Sequence, residues 1–213
     1  MKFSAASRYR MFASFCVLFY ALSRAISGQT VQNSTQSTLA DGADKNFRDG
    51  KYAQAERDLR DLAKIDSSNV HTQLYLGHTL FKQEKYAEAV GPYERAKLLN
   101  EGQKRLGQTE TRVLTDQLVM SYGMSGQFRK VHVLLNAAIQ KDPDYPLNYY
   151  NRACGFAEEG DKLRMMTALK QAFDRRRNVL KGEQMPDPRT DPSFQKYTAD
   201  VDFVKLMKDL GLK

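Results

Sequence analysis

Apolar residues recur along this chain in stripes at three- and four-residue intervals, and the stripes themselves repeat. Tyr52, Ala55, Leu59 and Leu62 fall on one helical face. Tyr86, Ala89, Tyr93 and Ala96 do the same, and Lys51-Tyr52-Ala53-Gln54-Ala55 returns as Lys85-Tyr86-Ala87-Glu88-Ala89 after an interval of 34 residues. A second set of helices alternates with these. Leu76, Gly77, Leu80 and Phe81 make a strong stripe, while Leu39, Ala43 and Phe47 make a weaker one that carries Gly42, which lowers helix propensity, and the polar Asn46. Small residues at Gly77 and Ala89 against large ones at Tyr86 and Tyr93 predict a close helix crossing.

The pattern resumes after an insertion. The aromatic at Tyr86 recurs as Phe128, an offset of 42, so eight residues are added near 104–111, where Thr109 or Thr111 suits a helix N-cap. Leu118, Tyr122, Phe128, Val131, Leu135 and Ala138 form the third pair of stripes, closed by Asp142-Pro143. Tyr149, Ala153 and Phe156, then Leu169, Ala172 and Phe173, form the fourth, with a turn at Gly160-Asp161. The predicted repeats are 36–69, 70–103, 112–145 and 146–179. Residues 180–213 differ. Lys181 to Pro192 is too interrupted by proline for a helix, and Asp191-Pro192 caps a short turn through Tyr197. Asp200 caps a helix with Val201, Val204, Leu206, Met207 and Leu210, stopped by Gly211. Phe203, Val204 and Met207 are expected to dock on the fourth repeat and cover its open apolar face.

The 34-residue interval, the aromatic-x-x-Ala core, Leu76-Gly77 ahead of Tyr86, and Tyr93 and Ala96 behind Ala89 resemble the tetratricopeptide repeat. Val131 and Met165 stand where that repeat has Ala, and Arg152 where it has Leu. The ending resembles the strap and closing helix of exported bacterial members. The resemblance implies an all-α fold, an α-α superhelix of about four helix pairs with a C-terminal strap and capping helix. It also implies a non-enzymatic scaffold that binds a protein or peptide on the concave face, which is built from the first helix of each repeat. Carried onto this sequence, the concave candidates are Asp44 and Phe47, Leu74, His78 and Phe81, Asp116 and Met120, and Tyr150 and Cys154. Members that clamp a C-terminal carboxylate use Lys and Asn on that face; the matching positions, among them Ala40 and Asp44, carry neither, so no clamp is present. Apolar and aromatic residues with two acids suit an amphipathic helix or an extended peptide bearing a few basic residues. The scaffold serves many partners, and a self-associating structural subunit of an envelope assembly, or an enzyme, stays open as an alternative.

The N-terminus changes the reading of charge. Lys2, Arg8 and Arg10 precede the uncharged, mostly apolar run Met11 to Leu22, and small residues flank cuts after Ala25 or Ser27. This is the order of a secretory signal peptide over 1–27, followed by a flexible polar linker over 28–38. A twelve-residue helix rises roughly 18 Å against the about 30 Å of a bilayer core, which favours cleavage over a stable span. Export to the periplasm or the medium is expected, with an uncleaved inner-membrane anchor as the alternative. Removing Lys2, Arg8, Arg10 and Arg24 takes the formal charge from +8 to 29 basic against 25 acidic residues, or +4. That mild excess asks for neither nucleic acid nor an anionic membrane. Cys154 alone remains after cleavage and has no internal disulfide partner.

Chemical motifs are sparse. No nucleotide loop, zinc-protease helix or paired CxxC is present, and no cofactor or metal is expected. His71 and His78 lie about 10 Å apart along one helix face with no ligand between them, and are read as exposed polar-face residues. A pairing of Cys154 with His132 rests on nothing but their presence. Arg175-Arg176-Arg177, with Lys170 and Lys181, reads as a solvated helix end or an anion site. Of the Tyr145, Tyr149 and Tyr150 cluster, Tyr149 is assigned to the core and Tyr150 to the surface.

Overall fold

The structure, a computed structural model, describes residues 32–212; the segment read as a signal peptide lies outside them. Nine α-helices, and no strand among the described residues, follow in order: α1 (Gln32–Arg48), α2 (Tyr52–Ile65), α3 (Val70–Lys82), α4 (Tyr86–Gln103), α5 (Gln108–Met124), α6 (Phe128–Lys141), α7 (Pro146–Glu159), α8 (Lys162–Asp174) and α9 (Val201–Asp209). They divide into two compact units at the Ser125–Gly126 turn.

In the first unit α1 packs on α2, α2 on α3, α3 on α4 and α4 on α5. α1 takes in residues 32–38, which the sequence assigns to a flexible linker. Asn46, polar at an apolar position, donates from Nδ2 to Asp58 Oδ2 at 2.9 Å and so joins α1 to α2 by a hydrogen bond. Gly50 turns the chain at φ 74°, where a side chain would be strained. Ala55, Leu59 and Leu62 are buried along α2. The α3–α4 crossing is set by Gly77: a Cβ there would lie 2.5 Å from the Tyr93 ring. Tyr93, Ala89 and Ala96 are fully buried beside it. The inserted residues both lengthen α4 and form a short loop. Lys104 ends α4 in a left-handed conformation, and buried Leu106 donates its N–H to Asn100 Oδ1 at 2.8 Å. The α5 N-cap is Gly107 rather than Thr109 or Thr111. Its N–H donates to Glu110 Oε2 at 2.9 Å, and both threonines lie inside the helix.

In the second unit α6 packs on α7 and α7 on α8, with the tail laid against them. Met165, Ala168, Leu169, Ala172 and Phe173 of α8 join Tyr149, Tyr150, Ala153 and Ala157 of α7 in one core. Arg152 keeps its charge at an apolar position by donating to Gln171 Oε1 at 2.7 Å and lying over the Tyr149 ring. Asp191 caps a 3-10 turn, Pro192–Tyr197, by accepting from Ser193 N–H. Asp200 caps α9 by accepting from the N–H groups of Asp202 and Phe203. Phe203 and Met207 are buried in the core, but Val204 faces outward at 38% exposure, so Val204 is not part of the docking contact.

Candidate functional site

The residues proposed for a concave surface fall into three groups. Tyr150 and Cys154, on α7, are covered by the chain itself. Tyr150 is fully buried, not at the surface: its hydroxyl donates to Asp191 Oδ2 at 2.9 Å and its ring stands edge-on to Phe194. Cys154 lies beside Ser193 and Asp191, and burial pushes its thiol well above the usual range. His132, the partner considered for it, sits elsewhere. Its Nε2 is 3.0 Å from Glu159 Oε2 and its ring stacks on Phe156. No activated nucleophile results from this arrangement.

His78 and Phe81 are committed to the α3–α4 pair. His78 is buried, at 5% exposure, instead of lying on a polar face; its Nδ1 is 2.9 Å from the Tyr93 hydroxyl. Burial, then the nearby Lys82 charge, lowers its pKa to about 3, so the ring is neutral. Phe81 stands edge-on to Tyr86 of α4, and Leu74 is buried on α3 one turn before His78. Phe47 likewise stands edge-on to Tyr52 across the α1–α2 turn. His71 is half-buried, with Nδ1 3.9 Å from Glu110 Oε1.

A third group keeps unspent polar capacity. Asp44 pairs with Arg48 through Oδ2, while its buried Oδ1 has no hydrogen-bond partner. Burial raises its pKa; Arg48 opposes this and Asp41 adds to it. Gln117 on α5 is buried with Oε1 unpaired. Between these helices, on α3, stands Tyr75, whose hydroxyl is pushed up by burial and then by the negative fields of Glu110 and Asp44. Asp116 and Met120 on α5 are half-exposed. The first helices α1, α3 and α5 therefore carry acids, a buried amide oxygen and a buried aromatic, a set dominated by acceptors. Tyr75, Glu110 and Gln117 escaped the sequence reading, which took one position per turn from the repeat register. The stripe His71, Tyr75 at a four-residue step is the signal that would have found Tyr75.

The arginine run is structural at its first two members. Arg175 Nε donates to Pro143 O at 2.8 Å with its guanidinium over the Tyr149 ring, and Arg176 donates to Phe173 O. Lys170 pairs with Asp174.

Comparison with solved structures finds crystal structures of MamA. One superposes with a TM-score of 0.63 at 19% identity, covering 83% of this chain and 90% of that one. A second gives 0.60 at 18% identity over 79% of this chain and 91% of its own. MamA 41-end from Desulfovibrio magneticus RS-1 gives 0.59 at 15% identity, over 82% and 94%. No family model matches the chain. No curated protein matches it either. At these identities the likeness is one of fold: the chain has the all-α, tetratricopeptide-type helical-repeat fold.

Proposed function

We propose that this chain is an exported, non-catalytic scaffold that binds a protein segment with basic and apolar residues on the inner face formed by α1, α3 and α5. One observation carries the reading. Buried acceptors on α1 and α5, Asp44 Oδ1 and Gln117 Oε1, lack donors, whereas the corresponding part of α7 is already occupied by Asp191 and Phe194. An unpaired buried acceptor costs about 1–3 kcal/mol, and rotation of either side chain toward a ligand N–H or ammonium recovers it. The fold supports an interaction role. The leader-like order of residues 1–27 supports export.

The test is titration of the chain starting at Gly28 with a labelled amphipathic peptide carrying four lysines, beside its glutamate counterpart. Binding of the basic peptide alone, weakened about tenfold by the Asp44→Asn, Gln117→Leu pair and by salt, is the expected result. Equal binding of both peptides, or indifference to the two substitutions, sinks the reading. Self-association is a second reading, favoured by Leu163 and Val201, exposed at 78% and 82% beside the Lys162–Asp200 ion pair that ties α8 to α9. A light-scattering mass of twice one chain that reverts with Leu163→Glu identifies it.

A further inference from the structure

His132 on α6 meets α7 at a place suited to a positive ring. Its Nε2 is 3.0 Å from Glu159 Oε2. Glu159 is the last residue of α7, where the helix presents the negative end of its dipole. The imidazole stacks on Phe156 with centroids 5.1 Å apart, and an aromatic face also favours a cation. Gly155 permits the approach, since a Cβ there would stand 3.3 Å from His132 Cε1. Close as the carboxylate is, Nε2 is buried and makes no aligned hydrogen bond. Both facts describe one contact, a nitrogen within reach of a carboxylate that is not yet directed at it. The Glu159 side chain is 37% exposed and has room to rotate into line. We propose that His132 and Glu159 form a proton-operated latch between α6 and α7.

A proton on Nε2 supplies both the N–H and the positive charge that the Glu159 carboxylate and the end of α7 accept. Its loss leaves a neutral ring beside a carboxylate. The latch is closed in acid, and its contribution is lost as pH rises through the ordinary histidine range around 6.5. Two other cations lie near. Arg164 of α8 stands over the Phe156 ring, 4.7 Å from its centroid, and its charge is met by Asp161, with Nε 2.6 Å from Oδ2. Arg129 lies one turn before His132 on α6 and is exposed, so water and salt screen it. α6 is the first described helix of its compact unit and packs on α7, so the latch acts at an edge, where local opening begins. Opening the first turn of α6 uncovers Val131, which is buried beside Gly155. The fold thus couples the docking of one helix to the acidity of its surroundings, independently of the binding face proposed above.

Amide hydrogen exchange of the full chain, 1–213, tests it at about pH 5 and about pH 8, on either side of the histidine range, with each rate corrected for its intrinsic pH dependence. Protection over residues 128–135 should be about fivefold higher in acid, the size expected of a half-exposed charge pair at a helix end. Residues 201–209, in the same unit, are the internal reference and should change little. His132→Gln keeps a polar group that does not titrate, and Glu159→Gln keeps an acceptor without charge; each should abolish the difference in α6. A difference that survives both substitutions, that appears equally in α9, or that is absent from the unaltered chain overturns the latch. Where a substitution unfolds the chain, the ring-nitrogen chemical shifts of His132 in the unaltered protein decide. A ring still neutral at about pH 5 overturns the proposal, and a protonated ring together with the extra protection of α6 upholds it.

Discussion

Two first helices of the same repeat type, α3 and α7, end in opposite situations. On α7 the tail has come to rest over Tyr150. Tyr150 donates to Asp191, Phe194 stands on Tyr150 and packs against Phe203, and Lys162 ties α8 to Asp200 and Asp202. On α3 and its neighbours α1 and α5, the acceptors Asp44 Oδ1 and Gln117 Oε1 remain unpaired. The scaffold is shared, so the difference lies in what each face is asked to hold. A face that is permanently covered is part of the core. A buried acceptor without a donor is one whose hydrogen bond is still to be made.

Removing the cover is the strongest way to break the contrast. Phe194 is fully buried between Tyr150 and Phe203. Phe194→Ala should cost about 4 kcal/mol. It should also raise hydrogen exchange in α7 and α9 while leaving α3 unchanged, since α3 belongs to the other compact unit. Protection lost equally in both units would show that the tail is not a local cover.

The next largest effect falls on the other pair. Gly77→Ala places a Cβ 2.5 Å from the Tyr93 ring, where a ring fully buried in the pair has no room to retreat. The helix-propensity gain of about 1 kcal/mol is outweighed by overpacking, for a net loss of about 2 kcal/mol. Gly155→Ala is the control. Its Cβ would meet His132 Cε1 at 3.3 Å, a half-buried ring that gives by a few tenths of an ångström, so the change should stay within about 1 kcal/mol. Chemical denaturation of both variants measures the difference.

Acid separates the pairs further. His78 has a folded pKa of about 3 against an ordinary 6.5, because burial, and secondarily Lys82, disfavour its cation. The unfolded chain binds this proton first, so stability is lost as pH falls from 6.5 toward 3. Glu56 behaves as a paired carboxylate. Burial alone would raise it, but donors from Lys85, Arg60 and Gln83 prevail and bring it down to about 2 from 4.5. Its contribution is present above 4.5 and is lost as pH falls through 2. Between pH 6.5 and 4.5, His78→Asn should flatten the fall in Tm by several degrees and Glu56→Gln should not. Below 4.5 the Glu56→Gln variant should flatten it too. Equal slopes in all three chains would refute the burial argument for His78.

Much of this fold was legible because it is periodic. The 34-residue interval, the small residues Gly77 and Ala89, and the caps at Asp191 and Asp200 all act locally, and local signals survive in a sequence. The site was less legible because it depends on which long-range partner each side chain finds. His78 looked polar and exposed, but the Tyr93 hydroxyl 15 positions on gave it a buried acceptor or donor. Tyr150 looked like a surface aromatic, but Asp191, 41 positions on, folds back over it. Asn46 and Arg152 broke the repeat pattern, and each is repaid by a side-chain partner, Asp58 and Gln171, on the second helix of its own pair. Tyr75 went unnoticed because repeat register selects its neighbours Leu74 and His78. Only the fields of Asp44 and Glu110 place it beside those two acids.

The smallest effects sharpen the comparison most directly, because they remove single polar groups. Tyr150→Phe deletes the hydroxyl that donates to Asp191 Oδ2 and leaves the ring against Phe194 in place. Asp191 Oδ1 still accepts from Ser193 N–H, so the cap survives and the cost is about 1 kcal/mol. Asp44→Asn is the matching change on α1. It gives up the ion pair with Arg48, which is exposed and worth under about 1 kcal/mol. It also removes a buried charge that lacks a donor on Oδ1, which offsets the loss. The expected net change in stability is within about 0.5 kcal/mol, paired with a clear loss of basic-peptide binding. A hydrogen-bonded acceptor and an unpaired one thus predict opposite pairings of stability and binding. Tyr150→Phe weakens the fold and leaves binding alone, while Asp44→Asn does the reverse. Denaturation and peptide titration of the same two variants decide whether the distinction between the two faces is real.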